Sequence, residues 1–301
     1  MVEVDTGFPS SGEFHLVTVS GSQASPIDYI VAKMSNFHEI TPIEEAIPED
    51  FTEEEYRYYN LKMMESSKNA SKVVAYQAAN KNVTIDWNGV YVVRTINDMP
   101  AENVLQVGDR IIKVDQLEVK DPKNLTDYIE NKSASETVDI TIERDGKLYK
   151  KTVGLKHFDS DSEKVGIGIQ MVADRSVKVE PEVDIKSGNI GGPSAGLMFA
   201  LEIYDQLIEE DITKGYKIAG TGEIDFDGNV HRVGGVDKKV IAAHRKEIDI
   251  FFVPYEAGNE NSNYELAKAT AEAISTNMKI VPIDSFQEAL DYLNQLEPKS
   301  N

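Results

Sequence analysis

The sequence has 301 residues, 41% hydrophobic and 28% charged, enough for a soluble globular protein of two domains with a sizeable core. Its formal charge of −21 argues against nucleic acid or anionic lipid as a partner, since both require clustered Lys and Arg. Without a single cysteine it has no disulfide, thiolate metal site or cysteine nucleophile, and no apolar run in it is long enough to span a membrane.

Residues 1–82 open without the basic and apolar regions of a signal peptide. Alternation at Phe14–Val19 predicts a short strand, and two helices follow, at Pro26–Ser35 and from Thr52 to Ala79. The acidic, aromatic EEAIPEDFTEEEYRYY reads as a solvated helix start, with negative charge at the favourable end of the dipole. No chemistry is expected of this region.

Residues 83–157 differ in character. GVYVVRTI predicts a buried strand, and NDMPAENVLQVGDRIIKVDQLEV a loop, short helix, turn and strand. In DPKNLTDYIENK, Asp121 or Pro122 opens a helix. ETVDITIERDGKLYKKTVGL predicts a hairpin turned by Asp145-Gly146, a pair that accepts positive φ. Together these make a compact, partly open β-barrel. The polar HFDSDSEKVG, 157–166, predicts a linker.

From 158 to 301 strands and helices alternate, so the chain as a whole reads as a multidomain α+β and α/β protein. VGIGIQMV is a strand, YKIAGTGEIDFDGNVHRVGG a hairpin around Asp227-Gly228, and VDKKVIAAHRKEI a helix. DIFFVP and MKIVPI are strands; NYELAKATAEAIS and SFQEALDYLNQL are helices.

The informative stretch is NIGGPSAGLMFALEIYDQL, 189–207. Leu197, Leu201, Tyr204 and Ile208 form an apolar stripe at helical spacing, and Pro193 suits a first helical turn. Ser194 then lies near a helix N-terminus, where N–H groups are unpaired and the dipole is positive. Two readings follow. Ser194 is a capping residue in a glycine-rich turn, or it is a nucleophile whose oxyanion those donors hold. Gly192-Pro193-Ser194-Ala195-Gly196 also fits the G-x-S-x-G elbow of α/β-hydrolases. That elbow needs a buried strand before it, whereas DIKSGNIG is polar and broken by glycine, and only His231 and His244 follow.

A nucleophilic serine needs a base. No H-E-x-x-H or S-x-x-K occurs, but Lys239 stands in the apolar helical pattern KKVIAAH. Burial penalises an ammonium, and lowering a lysine pKa to 7–8 takes roughly 3–4 kcal/mol. Lys238 and Lys239 point about 100° apart on a helix. The stripe Val236, Val240, Ala243 lies closer to Lys239, leaving Lys238 as the solvated charge.

GGPSAG, then GTGEIDFDGNVHRVGGVDKKVIAAHR, then DIFFVP with a closing strand and helix resemble the proteolytic domain of Lon-family Ser–Lys proteases. The resemblance implies Ser194 as nucleophile, Lys239 as general base and Thr221 as a hydroxyl that orients the lysine. The oxyanion would be held by backbone N–H groups of Gly192, Ser194 and Ala195. Many Lon proteases carry an acidic residue where this chain has Gly191, which alters the local electrostatics. Lon proteases proper also carry an ATPase module, yet no G-x-x-x-x-G-K-[ST] occurs here.

GVYVVRTINDMPAENVLQVGDRIIKVDQLEV resembles a PDZ domain of the bacterial protease type. PDZ domains add an extended peptide to a sheet edge and hold its carboxylate with backbone amides. The resemblance implies a groove between the strand of Gly89, Val90, Tyr91 and Val92 and the helix face of Leu125 and Ile129. The simpler reading of Leu125, Tyr128 and Ile129 is core.

A PDZ domain followed by a Lon-type domain resembles a group of membrane-anchored bacterial proteases. This implies an ATP-independent serine endopeptidase acting on polypeptides, some recognised by their C-termini, with no metal, nucleotide or organic cofactor. It further implies an anchor preceding the present sequence, an extracytoplasmic location and a hexameric assembly. The contrasting reading is a non-catalytic PDZ adaptor on a Lon-like scaffold whose dyad is not assembled.

Overall fold

A computed structural model describes residues 2–19, 21, 24–34, 40–159, 161–188 and 190–299. By its contacts the chain divides into two units, Met1–Ile43, Ser67–Thr84 and Lys178–Asn301 in the first, and Glu44–Ser66 and Ile85–Val177 in the second. The expected division is into 1–82, 83–157 and 158–301. Residues 1–82 are shared between the units, and 158–177 belong with the second.

The first unit is built on a four-stranded parallel sheet, in the order Lys279–Ile283, Ile250–Pro254, Lys217–Gly220, Glu13–Leu16. Strands buried on both faces read as continuous apolar runs, and IFFVP is buried at every position. Its residues alternate between two cores. Ile250 and Phe252 join Ile218 on the face covered by the Gly196–Leu207 and Phe286–Asn294 helices. Phe251 and Val253 join Ala219 on the face covered by the Val236–Arg245 and Asn263–Ala273 helices. Each fully buried Phe contributes roughly 1.5–3 kcal/mol. Thr221 directly follows the C-terminal end of the Lys217–Gly220 strand.

The N-terminal segment completes this unit. The Glu13–Leu16 strand, slightly shorter than the expected Phe14–Val19, pairs with Lys217–Gly220, and Val2–Val4 pairs antiparallel with Val183–Ile185. The Pro26–Lys33 helix starts at Ser25 in a capping box with Asp28. Its expected last residue, Ser35, lies outside the described residues. The long helix runs Glu53–Ala78, and Thr52 and Glu55 close its capping box. Its first part, through Ser66, belongs to the second unit and its remainder to the first.

In the second unit the main sheet runs Ile169–Val179, Val83–Thr95, Arg110–Val114, Thr137–Arg144, Lys147–Gly154. Asp145 and Gly146 turn the last hairpin at φ 52° and 71°, as that dipeptide predicts. Asp121 caps the Pro122–Glu130 helix through the Asn124 N–H, with Pro122 in its first turn. The expected linker 157–166 is instead a hairpin, Lys156–Phe158 against Asp161–Gly166. Its acidic residues face water while Val165, with the following Ile167, is buried in the core of the second unit. Among the described residues no helix is long and apolar enough to cross a membrane.

Candidate active site and peptide groove

Ser194 lies in the turn before the Gly196–Leu207 helix, which starts two residues later at an Ala195 N-cap without a side-chain cap bond. The capping role that competed for Ser194 is therefore not the one it plays. Gly192 turns the chain at φ 83°. The N–H groups of Gly196 and Leu197 are taken by Pro193 O at 3.1 Å and Gly222 O at 3.2 Å. Those of Gly192, Ser194 and Ala195 have no acceptor among the described residues. One turn thus holds three donors without an acceptor among the described residues, at the positive end of a 12-residue helix. That is the arrangement an oxyanion needs.

Lys239 enters from the opposite face of the sheet. Val236, Lys239, Val240 and Ala243 form the buried stripe of their helix, and Lys239 is only 4% exposed. Lys238 points elsewhere and pairs with Asp237 at 3.9 Å. Burial among apolar residues pulls the Lys239 ammonium down to about 8. Its Nζ donates to Thr221 Oγ1 at 2.9 Å, and that hydroxyl donates to the Ser194 carbonyl at 3.1 Å. The same carbonyl accepts from the Gly222 N–H at 2.9 Å. Thr221, fully buried, therefore ties the lysine to the serine loop. Among the described residues the Ser194 hydroxyl makes no hydrogen bond of its own. Hydrogen bonds of catalytic groups often close only when substrate is bound.

Gly196 permits a close approach at the back of the loop. A Cβ there would fall 2.5 Å from Ser67 Oγ and 2.8 Å from Ile224 Cγ2.

In the second unit the predicted groove residues are separated. Leu125 and Ile129 line a groove beside the Pro122–Glu130 helix, but its far wall is Val165–Met171 with Phe158. Gly89, Val90, Tyr91 and Val92 are not in it. Val90 and Val92 are core residues, and Tyr91 carries the Lys62 ammonium 3.6 Å above its ring. Their strand has neighbours on both sides and offers no free edge. Beside the helix, Ile167 and Gly168 use their carbonyls on the Ala101 and Ile96 N–H groups, both at 2.9 Å. Their own N–H groups have no acceptor among the described residues. Gly168 sits at φ 82°, a conformation other residues rarely adopt. The signal that would have found this wall is the alternation of small and apolar residues in VGIGIQM.

The comparisons with known proteins agree with both halves. A model of the Lon protease (S16) C-terminal proteolytic domain matches residues 150–295, and a PDZ domain model matches 60–155. The Lon protease of Aster yellows witches'-broom phytoplasma is 27% identical over 146 residues, which are 48% of this chain and 17% of that protein. That of Metamycoplasma arthritidis is 30% identical over 149 residues, 49% of this chain and 16% of that protein. The PDZ domain of an SdrC-like protein from Listeria monocytogenes is 32% identical over 30% of this chain and 93% of that one, with a TM-score of 0.28. The chain thus spans only a small part of the Lon proteases it matches.

The chain thus carries a region similar to the Lon protease C-terminal proteolytic domain, 150–295, and one similar to a PDZ domain, 60–155.

Proposed function

We propose that the chain is an endopeptidase that works through Ser194 and Lys239 and needs no nucleotide. The observation that carries this reading is the buried relay from Lys239 through Thr221 to the carbonyl of Ser194. Neutral Lys239 accepts the Ser194 hydroxyl proton as Oγ attacks the scissile carbonyl. The free N–H groups of the 192–195 turn hold the oxyanion. As the C–N bond breaks, Lys239 returns the proton to the leaving amine, and the same lysine then activates the water that frees the acyl group.

No G-x-x-x-x-G-K-[ST] occurs in this sequence, so the cleavage proposed for these residues draws on no nucleotide bound by them. A loosely folded protein should be cut equally fast with and without ATP–Mg²⁺, as followed by loss of intact substrate. Cleavage only with ATP would overturn the nucleotide-free reading.

In the second unit, the free N–H groups of Ile167 and Gly168 suit the carboxylate of a peptide C-terminus, with its side chains against Leu125, Ile129 and Met171. Met171→Glu should weaken binding of a fluorescent C-terminal peptide at least tenfold, while Tyr91→Ala leaves it unchanged. The reverse pattern would return the groove to the Gly89–Val92 strand. The adaptor reading draws on one observation, the unbonded Ser194 hydroxyl. It predicts peptide binding without cleavage by the wild-type chain.

A further inference from the structure

Two buried serines on the long helix remain without a role in this chemistry. Ser67 is 3% exposed and Ser71 fully buried, one helical turn apart. Ser67 Oγ donates to Pro193 O at 2.9 Å, and Ser71 Oγ donates to Gly196 O at 2.8 Å. These two carbonyls bracket Ser194 and Ala195. Ser71 Oγ also lies 2.8 Å from the Ser67 carbonyl of its own helix, so its single proton is shared between that carbonyl and Gly196 O.

Peptide geometry gives these bonds a consequence. A trans peptide is planar, so its C=O and N–H point in opposite directions. Holding Pro193 O against Ser67 therefore aims the Ser194 N–H away from the long helix. In the same way, Thr221 and Gly222 hold Ser194 O and so aim the Ala195 N–H. Ser71 fixes the next plane but one, whose N–H belongs to Leu197 and is taken by Gly222 O. We propose that Ser67 is a positioning residue that sets the oxyanion donor at Ser194, with Ser71 anchoring the helix start behind it. This rests on the reading of Ser194 as nucleophile and extends it to a segment outside the matched proteolytic domain, 150–295. Both serines belong to the same unit as Ser194.

The test is kinetic. Ser67→Ala should lower kcat for a fluorogenic peptide about tenfold per titrated active site while KM stays within twofold. A peptidyl boronate, whose tetrahedral adduct puts an oxygen on the same donors, should lose affinity in parallel with kcat/KM. A purely structural serine would lower melting temperature and the titratable fraction without touching kcat or boronate affinity per site. Ser67→Cys substitutes a slightly larger, weaker donor and should fall between wild type and Ser67→Ala. It decides the matter if the alanine variant does not fold. Wild-type kcat and boronate affinity in the folded variant would overturn the inference. If instead the wild type fails to cleave, as Ser194→Ala does, it is the protease reading that fails.

Discussion

Ser194→Ala should reduce peptide hydrolysis at least about 10³-fold, to the background of the assay, with melting temperature and peptide binding at the PDZ groove preserved. Removing a nucleophile removes the covalent route entirely, and what remains in such variants comes from binding and the oxyanion donors alone. The side chain is half-buried in a turn and makes no hydrogen bond among the described residues, so its loss leaves no buried partner unsatisfied. The fold therefore has no reason to respond. Residual activity within tenfold of wild type would mean another residue carries the chemistry.

Lys239 gives the second large effect and a pH signature. Only its neutral form can accept the serine proton. With a value of about 8, roughly a tenth of the molecules are competent at pH 7, and kcat/KM should fall tenfold per pH unit below that point. Lys239→Met should be inactive at every pH, by at least about 10³-fold. Stability should move in the opposite direction. The lysine titrates lower in the folded chain than at its ordinary 10.5, so the fold bears a penalty that is full below about 8 and disappears as pH rises through 10.5. Lys239→Met should therefore be more stable than wild type at pH 7, by up to roughly 3 kcal/mol, with the gap closing toward pH 10.5. Denaturant melts at several pH values measure it. A gap independent of pH would mean that Lys239 is not held in a desolvated site.

The parts of this site that could be read in advance are those encoded by local phase. Val236, Val240 and Ala243 fix which of two adjacent lysines turns inward, and the structure places Lys239 there. IFFVP could be read as a buried strand because both its faces are covered. What was hidden depends on pairing between distant segments. Nothing local in Glu13–Leu16 says that it will lie parallel to Lys217–Gly220, far along the chain. Ser67 and Ser71 are two small polar residues in a helix whose ordinary reading is a wetted face, and their acceptors are backbone carbonyls in another segment. Their i, i+4 spacing, continued by the buried Val74, is the one local hint.

The placement of the expected groove residues has a related reason. The buried run at Val90 and Val92 signals a strand but not which neighbours it takes, and here both edges are occupied. The segment that does face the helix reads as the strand VGIGIQMV of the following domain, because the acidic hairpin before it, 157–166, reads as a linker and hides that Val165 belongs to this core.

The central claim is that Ser194 is a nucleophile activated by Lys239. Incubating the chain at pH 9 with an excess of a serine-directed fluorophosphonate, then mapping the adduct by peptide mass spectrometry, tests it directly. The account predicts one adduct, on Ser194, whose formation slows tenfold per unit below pH 8 and is lost in Lys239→Met. An adduct on another serine, or equal labelling of Ser194 in Lys239→Met, would contradict it.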